Sequence, residues 1–236
     1  MANDLSMMGC GPSGAGGIGK TPAQIGSCIF WGSANDLSAV GDGNAITTWT
    51  DKGGAGNNLT ASSGDFIYRA TGGPSSKPAL DSSTTTGATM TFAAEKTNLR
   101  SVVTVMKIIN YDDGANPPSL AVGHSTQYNW HSSGADNRYT DTANTSAYVY
   151  GGAWRHDGGS TFNPSSTDWT TTYKIISVVA TDNTYVDNFG SDRASGYFRG
   201  MVSEWALFSK ALSNAELDDL NAYFGDKYSI AVTAVS

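Results

Sequence analysis

Residues 198–228 read FRGMVSEWALFSKALSNAELDDLNAYFGDKY, and within this stretch the spacing of the apolar residues changes from two to nearly four. Met201–Phe208 alternates as a strand does, with Trp205 and Leu207 on one face and Val202, Glu204, Ala206 and Phe208 on the other. Glu204 is the only charge in that run. A buried carboxylate without a partner is costly, so Glu204 is expected to pair with a base or a backbone group. Beyond the strand, Ser213 and Glu216 have the spacing of a capping box, Leu217, Leu220 and Phe224 repeat at i, i+3 and i+7, and Gly225 is placed to end the helix.

Working outward, two more segments have strand character. Ser101–Ile109 (SVVTVMKII) and Tyr173–Ala180 (YKIISVVA) are rich in β-branched residues and bounded by turn formers. Shorter apolar runs occur at Ile29–Trp31 and Ala45–Thr50. Strands therefore recur from Cys28 to the closing helix, which excludes an alternating βαβ architecture. The 236 residues fit one all-β domain over 28–236. Residues 1–27 form a glycine-rich N-terminal arm with neither period, expected to lie outside the core and along a neighbouring subunit. Its partner-binding residues are expected to be Gly14, Gly16, Gly17, Ile18, Lys20 and Pro22.

The bulk properties bound the partners. A net charge of -7 with only 14 basic residues excludes nucleic acid, because neutralising phosphates needs clustered Lys and Arg. No apolar run approaches the roughly 20 residues of a membrane helix, and Met1–Leu5 lacks the features of a signal peptide. Cys10 and Cys28 could close a loop, but without a secretory signal they read as free thiols.

Two stretches resemble a known family. Trp49-Thr50-Asp51-Lys52-Gly53-Gly54-Ala55-Gly56-Asn57-Asn58-Leu59 is similar to the W-x-D-x-S-G-x-G-N-x-hydrophobic segment near the start of concanavalin A-like, laminin-G-like domains. Phe198–Phe208 is similar to their last core strand, G-x-I-x-E-hydrophobic-x-hydrophobic-aromatic, followed by Ala211-Leu212-Ser213 and a short helix. The resemblance covers roughly residues 28–231. It implies an all-β concanavalin A-like jelly-roll β-sandwich of two antiparallel sheets with one short C-terminal helix. Ser203 stands where many members place an Asp, which argues against a calcium site built on that carboxylate.

Several motifs that carry chemistry elsewhere have plainer readings in this sequence. Gly14-Ala15-Gly16-Gly17-Ile18-Gly19-Lys20-Thr21 satisfies the P-loop pattern, but no strand precedes it and Gly26 interrupts any helix after it. Paired carboxylates for glycoside hydrolysis are not supplied by Glu95, Glu204 and Glu216, which lie far apart in sequence. His124, His131 and His156 lack a metal-binding spacing. Tyr128, Trp130, Tyr139, Tyr148, Tyr150, Trp154 and Arg155 lie among polar residues, as a glycan or protein contact requires, although alternating rings also fill a sandwich. Of these, Tyr128, Trp130, Tyr139, Tyr150, Trp154 and Arg155 are the contact candidates. No cofactor is expected; calcium on Asp36, Asp51 and Asn57, with Asp42 nearby, is the one ion these loops could hold.

No catalytic constellation stands out, so the expected function is that of a non-catalytic structural or binding protein of a phage virion: a capsid decoration, head-fibre or tail-associated protein. The expected partners are other virion proteins and copies of the same chain. The alternative is a lectin-like carbohydrate-binding module of an extracellular system.

Overall fold

The computed structural model describes residues 19–84, 87–109, 118–126, 129–133, 137–192 and 196–236. Within them ten strands form one antiparallel sheet: β1 (Cys28–Ser33), β2 (Thr48–Trp49), β3 (Leu59–Ser63), β4 (Ile67–Arg69), β5 (Ala79–Asp81), β6 (Thr89–Ile108), β7 (Val122–Gly123), β8 (Ala153–His156), β9 (Lys174–Phe189) and β10 (Gly200–Phe208). Two α-helices accompany them, the one-turn α1 (Ala147–Tyr150) and α2 (Asn214–Tyr228).

β6 and β9 shape the sheet. The first four residues of β6 pair with β3 and with the end of β9, whereas Ser101–Ile108 pairs with β10 and, through Met106, with the start of β9. Between these halves the β6–β9 register shifts three times. Bulges add twist and bend a ladder, and here they curl it. Leu59, Met90, Phe92 and Phe189 from one half then share a core with Val102, Met106, Ile176, Trp205 and Leu207 from the other. Where the sequence reading expects two separate sheets, the ladders run through one, because both long strands pass continuously around the corner.

The uninterrupted apolar runs have a physical cause. Inward residues of the second half enter this core, while outward Val103, Val105, Ile175, Ala206 and Phe208 lie under α2 with Leu217, Leu220, Phe224 and Tyr228. Strands buried on both faces read as near-continuous hydrophobic runs. Fully burying each Leu or Phe of α2 stabilises by roughly 1.5–3 kcal/mol. The capping box forms as expected, with Ser213 N donating to Glu216 Oε2 at 3.0 Å and Glu216 N to Ser213 Oγ at 3.3 Å.

Glu204 binds β1, β10 and α2 together. Its carboxylate is wholly buried and accepts from Trp31 Nε1 (2.7 Å), Ser33 Oγ (2.8 Å), Tyr228 OH (2.6 Å) and Lys227 Nζ (2.5 Å). The expected pairing with a base is present, and three neutral donors join it. Burial and the Glu204 charge push the Tyr228 phenol well above its ordinary range, so it remains a donor.

Three expectations need correction. Val202 lies in the main core with Trp205 and Leu207, because a bulge at Ser203 shifts the β10 register and reverses the alternation before it. α2 does not stop at Gly225 but runs to Tyr228 and ends on Ser229 in the left-handed region (φ 54°). Gly225 is instead a close-approach site, since a Cβ there would stand 3.0 Å from Ile230 O and Val232 Cγ1. Finally, residues 19–27 belong to the domain: Ile25 is buried with the α2 residues, and Lys20 pairs with Asp219 at 2.7 Å.

Gly32 shows how tightly β1 is packed. A Cβ there would fall 2.4–2.8 Å from three atoms of the Trp49 ring, which is itself only 1% exposed and cannot move aside. Overpacking of this kind costs about 1–3 kcal/mol, occasionally more. Gly32→Ala is therefore expected to lower the unfolding free energy by about 3 kcal/mol in a urea titration at unchanged m-value.

Candidate functional site

Period two places Leu59, Met90, Phe92 and Phe189 inward, so their neighbours face out. Thr60 pairs with Thr91, and Thr91 with Asn188, giving one polar row across three strands. Two adjoining hollows of about 390 and 370 Å³ lie over this row and share Thr91 and Phe92. One is walled by Gly56–Asn58, the other by Ser125, Asp187, Ser191 and Asp192. Gly123 lets the second wall close: a Cβ there would stand 1.7 Å from Ser191 O and 2.1 Å from Asn188 Oδ1.

The groove is graded in charge. At one end Lys96 Nζ donates to Asn57 Oδ1 at 2.7 Å and lies 5.4 Å from the Phe92 ring centre; its partial burial lowers the ammonium pKa. At the other, Asp187 accepts from Ser125 N at 3.0 Å, and Asp192 pairs with the buried His131 at 2.6 Å. Hydroxyls, amides and carboxylates in this order suit a polar ligand bound through hydrogen bonds. The sequence reading missed the row, since polar outward residues are what any solvated sheet face carries.

The other candidates fall elsewhere. Trp130, Tyr139 and Trp154 are at most 1% exposed and pack on one another and on Phe162. Their polar tips are satisfied inside, as with Trp154 Nε1 to Val149 O (2.8 Å) and Trp130 Nε1 to Thr184 Oγ1 (3.1 Å). Their side chains belong to the core. Arg155 is buried too, whereas Tyr148 and Tyr150, on α1, remain exposed. Tyr128 lies outside the described residues.

The oxygen-rich loop has a structural use. Asp51 Oδ1 accepts from Trp31 N and Gly53 N at 2.9 and 2.7 Å, Asp51 Oδ2 accepts from Asn57 N at 3.1 Å, and Asn57 Nδ2 donates to Ile29 O at 2.7 Å. These bonds cover the free edge of β1, which would otherwise offer a template for another strand. Asp36 pairs instead with Lys52 at 2.8 Å, and Asp42 accepts from Ala70 N, so the four do not converge. Among the described residues no group of three or more His, Cys, Asp or Glu is placed to hold a metal.

The remaining motifs are dispersed. Gly14, Gly16, Gly17 and Ile18 lie outside the described residues. Lys20 is turned to Asp219, and Pro22, buried, begins a three-residue 3-10 turn rather than the helix a P-loop needs. Glu95 pairs with His124 at 2.8 Å, Glu204 is enclosed, and Glu216 caps α2, so no two glutamates face each other. Cys28 has no disulfide partner among the described residues, and burial pushes its thiol up to about 12.

No family model, curated protein or solved structure matches this chain.

His156 gives a pH test. Burial pushes its imidazole down to about 4, against the Asp157 charge and with that of Lys174, and its Nε2 meets Tyr139 OH at 2.9 Å. A neutral buried histidine contributes stability that is full above its unfolded pKa, about 6.5, and is lost as the pH falls toward 4. The shift corresponds to roughly 3 kcal/mol. Urea titrations at pH 7 and pH 4 are expected to show wild type losing about that much more than His156→Gln; equal losses would remove His156 from the acid response.

Proposed function

We propose that the curled sheet is a concanavalin A-like, laminin-G-like jelly-roll domain and that the protein is a non-catalytic structural and binding component of a phage virion. In this reading the N-terminal segment anchors the domain to neighbouring subunits, either copies of this chain or other virion proteins. The architecture is supported by the way the two resembling stretches flank β1. Asp51 and Asn57 cover one edge of it, and β10 pairs with the other.

The observation that carries the assembly role is the anchoring of Gly19, Lys20 and Ile25 on α2. Gly19 is wedged against α2, where a Cβ would stand 2.0 Å from Asp219 O and 2.5 Å from Tyr223 N. Lys20 and Ile25 hold the following residues to the same helix. Eighteen residues leaving from a fixed point span up to about 60 Å when extended, enough to cross a subunit boundary.

The graded groove favours a second reading, a lectin-like module that binds a neutral polyhydroxylated ligand across Thr60, Thr91 and Asn188. Deleting residues 1–18 separates the two, because the remaining chain keeps every contact described above. Under the assembly reading, light scattering coupled to size-exclusion chromatography finds an oligomer for the full chain and a folded monomer for the deletion. A full chain that is monomeric, or an oligomer that survives the deletion, contradicts it. Retained glycan-array binding by the deletion, lost in Thr91→Trp, would support the second reading.

A further inference from the structure

Under α2 the outer face of the sheet holds a knot of polar atoms that the fold leaves unmatched. Arg155 and Ser177 stand opposite each other in the β8–β9 ladder, so their side chains share a face. α2 crosses that face with Asp218 and Asn221 three residues apart and hence on one side. The charge of Asp218 acts on Arg155, and Asn221 Nδ2 lies 3.4 Å from where a Cβ on Gly158 would stand, just past the end of β8. Arg155, Ser177 and Asn221 are 6%, 1% and 2% exposed. Yet Arg155 Nε, Ser177 Oγ and both polar atoms of the Asn221 amide have no hydrogen-bond partner among the described residues.

Each such atom costs on the order of 1–3 kcal/mol when buried. Native interiors leave few of them, and those that persist together call for a reason beyond stability. Here the unmatched groups are mainly donors: a guanidinium N–H, an amide NH2 and a hydroxyl, beside a buried positive charge. That set matches an oxygen bearing negative charge.

The cover over the knot is a strap, residues 230–236, of which only Ile230 and Val235 pack against the α2 cluster. Residues 230–236 are held by Thr233 N to Asp157 O (2.9 Å), Gly159 N to Thr233 O (3.3 Å), Ser236 N to Gly159 O (3.3 Å) and Val235 N to Asp218 Oδ1 (2.7 Å). Arg155 Nη2 reaches Ser236 O at 3.3 Å. Residues 231–234 are exposed, and the strap hangs from the left-handed Ser229. Local opening of such a weakly buried segment is cheap compared with global unfolding.

We propose that Arg155, Ser177 and Asn221 form a binding site for a single oxyanion, a carboxylate or a phosphate, closed by residues 230–236 and reached when that strap lifts. The site is independent of the outer groove and of residues 1–18.

Thermal unfolding of the full chain with inorganic phosphate or acetate, balanced against chloride at constant ionic strength, tests this. One of the two anions is expected to raise the midpoint saturably by about 5 °C, and which one does so identifies the class. Asn221→Leu is expected to abolish the response while leaving the free protein at least as stable, because an apolar group replaces an unmatched amide. An unchanged midpoint with both anions, or an equal rise in Asn221→Leu, overturns the proposal. Should that variant fail to fold, amide shifts in the wild type decide: Gly158, Gly159 and Thr233 must move on adding the active anion, and their silence overturns it.

Discussion

A carboxylate with no access to water, satisfied by four donors, sets the arrangement of the second half of this domain. Glu204 lies on β10; its donors come from β1 and from the last turn of α2. Taking a charge out of water costs several kcal/mol unless its lone pairs are fully used. All three elements must therefore be in place before the residue is tolerated. The same requirement explains why α2 runs past Gly225: Lys227 and Tyr228 lie beyond it, and both are needed at Glu204.

From this clamp the rest follows in layers. β1 cannot pair on its second side without aggregation risk, so Asp51 and Asn57 occupy that edge with side-chain bonds. The stretch that resembles a family motif is in this way a device for finishing a sheet edge and turning a loop. The polar row of Thr60, Thr91 and Asn188, and the donors beneath the strap, are groups that the scaffold holds but does not consume.

Much of the fold was legible because burial on both faces leaves a signature. SVVTVMKII, YKIISVVA and MVSEWALF read as strands, and the Ser213–Glu216 box with Leu217, Leu220 and Phe224 reads as a helix, since local spacing alone determines these. What was not legible depended on distant partners. The bulge at Ser203 that moves Val202 to the other face has no local signature. Nor does the Trp130, Tyr139 and Trp154 segment, whose mixture of rings and polar residues is the same whether the rings face a ligand or each other. The packing of Lys20 and Ile25 depends on a helix at the other end of the chain, and the groove is written in residues that any solvated face would have.

The clamp can be tested without disturbing packing by a double-mutant cycle on Ser33→Ala and Tyr228→Phe, each of which removes one hydroxyl donor from Glu204. Urea unfolding of the two single variants and the double variant gives the coupling. If one carboxylate depends on both donors, the double variant should lose at least about 1 kcal/mol more than the sum of the singles. Losses that add, or singles that are neutral, would contradict the account and leave Glu204 an incidental buried charge.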